Sequence, residues 1–223
     1  RPLFFDGFRL KTSCPCLTRM FISVVIPTYN RRSILEKCLQ ALEHQDPSGE
    51  IETYEVVVVD DGSSDGTPDW LRQNAARFPH VRLVEQQHGG PAEGRNRGVD
   101  HAKGDVIVFI DSDLVVTSSF LASHARALSR RWNQQGNRLC FTYGAVINTA
   151  NFDQPTAERH KLRDLSWAYF ATGNVAIDRE VLERSGLFDL GFRLYGWEDL
   201  ELGERRRQSG VELRKCSEAV RCH

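Results

Sequence analysis

The sequence predicts an α/β fold, a mostly parallel sheet flanked by helices, on three observations. Apolar runs of strand length end repeatedly in polar turn residues. Segments with helical apolar spacing stand between those runs. The runs are apolar at successive rather than alternate positions, as expected of strands buried on both faces.

The elements follow in order. "FISVVIPTYN" (21–30) is an apolar run closed by Pro27 and reads as a buried strand. "SILEKCLQALEHQ" (33–45) sets Ile34, Leu35, Cys38, Leu39 and Leu42 at helical spacing, with Ser33 expected as N-cap and Glu36 three residues on. "YEVVVVDDGSSDGT" (54–67) is a second buried strand that breaks into a turn, and "PDWLRQNAARF" is a helix with Pro68 in its first turn. "VRLVEQ" (81–86) is a shorter third strand, "GGPAEGRNRGVDHA" (89–102) a Gly-rich approach to a helix, and "DVIVFID" (105–111) the fourth strand. Beyond Asp113 the pattern changes. "SSFLASHARALSRRW" (118–132) reads as a helix and "LCFTYGAVI" (139–147) as a strand, and a polar stretch runs from 148 to about 164. "ATGNVAIDREVLERSGLFD" (171–189) reads as strand then short helix, "GWEDLELGERRRQSG" (196–210) as a helix ended by Gly210, and "VELRKC" (211–216) as a last strand.

The 223 residues, 40% hydrophobic and 26% charged, suit one substantial globular domain. Residues 20–223 read as that domain. Residues 1–19 read as a non-native or disordered leader, with Met20, the only methionine, as the natural start; the stop at His223, directly after an apparent strand, suggests a chain cut short. A net charge of −1 gives no reason to expect nucleic acid as a partner. No apolar run approaches the ~20 residues that span a bilayer, which leaves at most peripheral membrane contact. The six cysteines are scattered through a chain able to build a core without them and read as reduced thiols of a cytoplasmic protein.

In an open parallel sheet, ligands bind beyond the carboxyl ends of the strands. Three runs end there in polar residues: Pro27-Thr28-Tyr29-Asn30, Asp60-Asp61-Gly62-Ser63 and Asp111-Ser112-Asp113. So many carboxylates on one rim call for a cation or hydrogen-bond donors. Carboxylate oxygens suit Mg²⁺ or Mn²⁺, ions that bind one or two protein carboxylates and fill their other positions with water and substrate phosphates. A bland reading stands beside this one, since Asp and Ser are ordinary turn and capping residues.

In that order, "SVVIPTYNRR", "VVVVDDGSSDGT", "GPAEGRNRG", "VFIDSDL", "TGNVAIDREV" and "GWEDLEL" resemble the inverting GT-A glycosyltransferases of family 2, over about residues 21–223. The resemblance implies a GT-A fold, Rossmann-like in its sheet. It also implies a nucleotide-sugar donor (a UDP-sugar first, GDP or dTDP otherwise), a saccharide or other hydroxyl acceptor, Mn²⁺ or Mg²⁺, and a role in polysaccharide synthesis. Position by position, it implies nucleotide contacts from Pro27, Thr28, Tyr29, Asn30, Asp60, Asp61, Arg95, Asp111 and Ser112. It implies metal ligation by Asp113, with Asp111 through water or directly, and by His223 at the end of the domain. Gly94 stands where the family more often has Ala.

Sugar transfer also needs a carboxylate to take the acceptor's proton. "GWEDLEL" offers Glu198 and Asp199 in the first turn of a helix, where the helix dipole favours their ionised forms. The resemblance makes Asp199 the base of a direct, inverting displacement and Glu198 a ligand of sugar or acceptor hydroxyls. Trp197 would offer an apolar face to a sugar ring, or pack in the core. Gly173 and Asn174 match a loop beside the donor sugar. A sugar-1-phosphate nucleotidyltransferase would want a Gly-rich phosphate loop after the first strand, where "PTYNRR" stands, and a dehydrogenase would want GxGxxG there. A module that binds a nucleotide-sugar without turnover is the remaining alternative.

Overall fold

The computed structural model describes residues 19–147, 170, 172–191 and 197–222. Among them eight strands form one sheet in the order β3-β2-β1-β4-β7-β6-β8-β5. β1 (Met20–Thr28), β2 (Ile51–Asp60), β3 (Val81–Glu85) and β4 (Val106–Ile110) are mutually parallel neighbours, as their unbroken apolar runs predict. The second half is mixed. β7 (Asn174–Asp178) runs antiparallel to both β4 and β6 (Cys140–Ile147), β6 pairs in parallel with β8 (Glu212–Cys222), and the two-residue β5 (Val115–Val116) pairs antiparallel with β8.

Helices cover both faces. α1 (Arg32–Glu43), α2 (Thr67–Gln73) and α4 (Phe120–Gln135) pack on one side, where Ile22, Val24 and Ile26 of β1 meet Leu35, Leu39, Phe120 and Leu128. α3 (Pro91–His101), α5 (Arg179–Arg184) and α6 (Trp197–Gln208) cover the other, where Val25, Ile107 and Phe109 meet Val99, Leu182 and Leu202. α3 lies close against β1 because Gly98 is glycine: a Cβ there would come within 2.3 Å of Val25 Cγ1. The same closeness, at Gly94 over Pro27, brings Arg95 to the end of β1.

The N-cap expected of Ser33 is not the one found. Helix α1 starts two residues earlier, at Arg32 with Arg31 in the N-cap position, and Ser33 lies inside it. The free amide of Arg32 donates instead to Asp65 Oδ2 at 3.0 Å, a cap supplied from the loop after β2. The described cysteines, Cys38, Cys140, Cys216 and Cys222, are buried free thiols. The leader through residue 18, Cys14, Cys16, the polar stretch 148–169 and His223 lie outside the described residues. No described helix is long and apolar enough to cross a membrane.

Candidate active site

The carboxyl ends of β1, β2 and β4 open onto a cleft of about 450 Å³, within the size range of small-ligand sites. Pro27, Thr28, Tyr29, Asp61, Arg95, Asp111, Ser112 and Asp113 all line it, so the three polar strand ends do converge. Arg31, His88 and Arg221 line it as well.

Cationic partners for the strand-end carboxylates come from distant parts of the chain. Arg31, just past β1, pairs with Asp113. Arg95, on the first turns of α3, donates from Nη2 to Asp111 Oδ1 at 2.9 Å. The Arg95 side chain is only 5% accessible, and its Nη1 lies 3.6 Å from Glu198 Oε1 and 3.9 Å from Asp199 Oδ1. One buried guanidinium therefore joins the carboxylate at the end of β4 to both carboxylates at the start of α6. Burial works against its charge, but Asp111 and Asp199 outweigh burial and raise its proton affinity.

Asp199 is held by Thr172, whose Oγ1 donates to Oδ1 and Oδ2 at 2.9 and 2.8 Å and whose N–H donates to Oδ2 at 3.2 Å. Burial pushes the Asp199 carboxyl above the ordinary carboxylate range. Glu198 adds to the push, while Arg95 and Thr172 pull the other way without cancelling it. Helix α6 is seated by Arg206, a fully buried arginine that donates to the carbonyls of Leu182 (3.1 Å) and Gly186 (2.6 Å). Burial, with Arg205 beside it, lowers the Arg206 guanidinium to about 9.

Several expected site residues make contacts that hold the frame. Asn174 is fully buried at the start of β7: His124 Nε2 lies 2.9 Å from its Oδ1, and its amide donates to the carbonyls of Ala145 (3.1 Å) and Ala219 (3.0 Å). Asp60 does not line the cleft; it accepts from the Ser63 amide at 2.9 Å and closes the turn after β2. Asn30, at φ +52°, accepts from the Ser64 amide at 2.7 Å and ties the first loop to the second. Glu198 is 3% exposed and stands against Arg95 as a buried counter-ion. Trp197 is 57% exposed, which removes the core-packing reading. Gly173 touches the site through Arg221: a Cβ there would meet the Arg221 Nη1 at 2.5 Å.

The sequence reading missed Arg31, His88, Thr172 and Arg221. Arg31, Thr172 and Arg221 each sit within two residues of a position it named and His88 lies seven before Arg95, but pairing across the fold, not spacing, gives these four their places.

Among the described residues no group of three His, Cys, Asp or Glu side chains could hold a metal ion alone. Two partly accessible carboxylates on a cleft rim nevertheless suit Mg²⁺ or Mn²⁺, which complete their shells with water and phosphate oxygens.

An α/β sheet of this kind, with carboxylates at its strand ends opening onto a cleft, is the GT-A fold. Residues 23–186 match Glycosyl transferase family 2, and the chain belongs to that family. It is 26% identical to the uncharacterized glycosyltransferase YfnE of Bacillus subtilis, over 92% of this chain and 64% of that protein. It is 31% identical to a validoxylamine A glucosyltransferase of Streptomyces hygroscopicus subsp. jinggangensis, over 86% of this chain and 52% of that protein. Among solved structures it resembles the mannosyltransferase PcManGT of Pyrobaculum calidifontis in complex with GDP-Man and Mn²⁺, with 27% identity, a TM-score of 0.64 and coverage of 92% of this chain and 57% of that one. It shares its fold with S. aureus TarS 1–349 in complex with UDP-GlcNAc, at 20% identity, a TM-score of 0.70 and coverage of 92% and 58%. The chain thus spans between about half and two thirds of the length of these relatives.

Proposed function

We propose that the chain transfers a sugar from a nucleotide-diphosphate donor to an acceptor hydroxyl, with inversion at the anomeric carbon. The observation that supports this is the placement of the Arg95 guanidinium between Asp111 on the donor side and Asp199 across from it. The base of the nucleotide lies on the loop of Pro27, Thr28 and Tyr29 near Asp61, and the ribose near Asp111 and Ser112. The diphosphate extends toward Asp113, with Arg221 and Arg31 facing it. Asp113 and Asp111 would hold Mn²⁺ or Mg²⁺, with His223 as a further ligand. When bound, the ion offsets the negative charge that grows on the departing diphosphate. A relative crystallised with GDP-Man and Mn²⁺ supports both the donor class and the ion.

Asp199 takes the proton of the attacking hydroxyl. Its raised proton affinity suits that role, because a base whose pKa lies nearer the working pH accepts a proton more readily. Thr172 aims the carboxylate, Arg95 keeps it ionised, and Trp197 offers a flat apolar face at the start of the same helix. The acceptor oxygen attacks the anomeric carbon, the bond to the diphosphate oxygen breaks, and the nucleoside diphosphate leaves.

Incubation with UDP-, GDP- and dTDP-sugars and an acceptor panel, with and without Mn²⁺, tests this reading. It predicts metal-stimulated release of nucleoside diphosphate and, by proton NMR, a glycoside of inverted configuration. Pyrophosphate release or a retained configuration would contradict it, and tight donor binding with no turnover would leave only a binding module.

A further inference from the structure

Asp61 and Tyr29, the acceptor and the flat face assigned above to the nucleotide's base, are both already engaged by one side chain of the protein itself. The His88 ring stacks on Tyr29 at a centroid distance of 4.2 Å and an interplanar angle of 27°. Its Nδ1 lies 2.8 Å from Asp61 Oδ2. A carboxylate offers about four lone-pair sites, and at Asp61 three accept hydrogen bonds from the protein while His88, whose Nδ1 also lies 3.2 Å from the Asp61 backbone carbonyl, stands against the fourth. Oδ1 accepts from Gln86 Nε2 at 2.7 Å and the Gly89 amide at 2.8 Å; Oδ2 accepts from the Gly90 amide at 2.9 Å and faces His88.

These four partners are not equally free to leave. Two are backbone amides in a loop whose glycine at position 90 has φ +92°, so releasing them means rebuilding the approach to α3. The Gln86 side chain is partly buried. The His88 side chain is 58% accessible and hangs from the loop by rotatable bonds. It is also planar, stacks, and presents a ring nitrogen to the carboxylate, as a uracil or guanine base would.

We propose that His88 is an internal stand-in for the base, which the donor must displace from Tyr29 and Asp61 in order to bind. This rests on the donor reading above. His88 then sets how strongly a nucleotide is held relative to a bare diphosphate: binding through the base is weakened by the fraction of molecules in which His88 occupies the subsite, while binding through the phosphates is not. The stand-in also keeps the Asp61 carboxylate and the Tyr29 face covered when the cleft holds no donor.

The test is calorimetric binding of UDP, GDP and inorganic pyrophosphate, each with Mn²⁺, to the full chain and to His88→Ala and His88→Phe. The expected result for His88→Ala is a gain of about threefold or more for whichever nucleotide binds, with pyrophosphate unchanged. His88→Phe keeps the stacking partner and loses the contact to Asp61, and should gain less. In the wild type, saturation with nucleotide should move the His88 ring proton resonances toward those of a free histidine. Nucleotide binding that is unchanged or weaker in His88→Ala would overturn the proposal and leave the donor reading standing. Absence of nucleotide binding in all three proteins would remove both.

Discussion

The carboxylate pair on the cleft rim and the pair beside it on α6, which reaches the cleft only through Arg95, look alike in sequence and live in different surroundings. Asp111 and Asp113 keep 34% and 25% of their side-chain surface accessible, whereas Asp199 keeps 20% and Glu198 4%. In the first pair only Asp113 has an arginine of its own, Arg31, while Asp111 pairs with Arg95. The second pair shares one buried guanidinium. Accessibility suits the first pair to a hydrated hard cation, which gives up its water reluctantly. Burial suits the second to proton transfer, because it raises the affinity of Asp199 for a proton. What separates the two motifs is therefore chiefly the buried Glu198 and the raised proton affinity of Asp199, since Asp113 and Asp199 are similarly accessible.

Removing Arg95, which belongs to both pairs, should blur that contrast most. Arg95→Met is expected to lower kcat/KM by about 10²-fold or more, since a fixed buried charge facing the reacting groups is lost. It also removes a group that pulls the Asp199 carboxyl down. The base then stays protonated to higher pH, so the acid limb of the kcat/KM profile should move upward. Arg95→Lys keeps the charge and loses the fork, and should fall between; the pH-rate profiles of the two variants check both points. Thr172→Val acts only on the second pair. The hydroxyl bonds that favour ionised Asp199 disappear, so the acid limb should again rise, with a fall in kcat of about tenfold and unchanged donor affinity.

The smallest effect on turnover is expected behind the second pair, at His124. This residue is fully buried between Thr142 and Asn174, and burial lowers its ring to about 4. The Asn174 amide donates to two carbonyls, so its oxygen faces the imidazole and His124 Nε2 carries the proton. An unfolded histidine takes up a proton near pH 6.5 and the folded one only near 4. The unfolded state binds more protons in that window, so His124 costs the fold stability as pH falls through it, by about 3 kcal/mol in all. Denaturant unfolding from pH 7 to 4 should show this slope in the wild type and lack it in His124→Leu, whatever the variant's absolute stability.

The legible parts of the molecule were those fixed by local pattern. The apolar runs of β1, β2 and β4 needed nothing beyond burial on both faces, and the strand ends they predicted do line one cleft. The two-residue β5 and the extension of β8 to Cys222 were not legible, because they form by pairing with each other and with β6. Ser33 looked like a cap because nothing local shows that Asp65, 32 positions on, reaches the helix start first. Asn174 reads as a site residue because its motif does; that it sits buried at the start of β7, bonded to His124, shows only in the fold. Arg31 and Arg95 answer the question of what offsets the strand-end carboxylates, and the answer lay 82 and 16 residues away.

Calorimetric titration of nucleoside diphosphate with and without Mn²⁺, paired with turnover of the matching donor, separates the two pairs most directly in Asp113→Asn and Asp199→Asn. Asp113→Asn should lose the gain in affinity that Mn²⁺ confers. Asp199→Asn should keep that gain and lose turnover by about 10³-fold. Metal-dependent binding that survives in Asp113→Asn, or turnover that survives in Asp199→Asn, would contradict the division of labour between the two pairs.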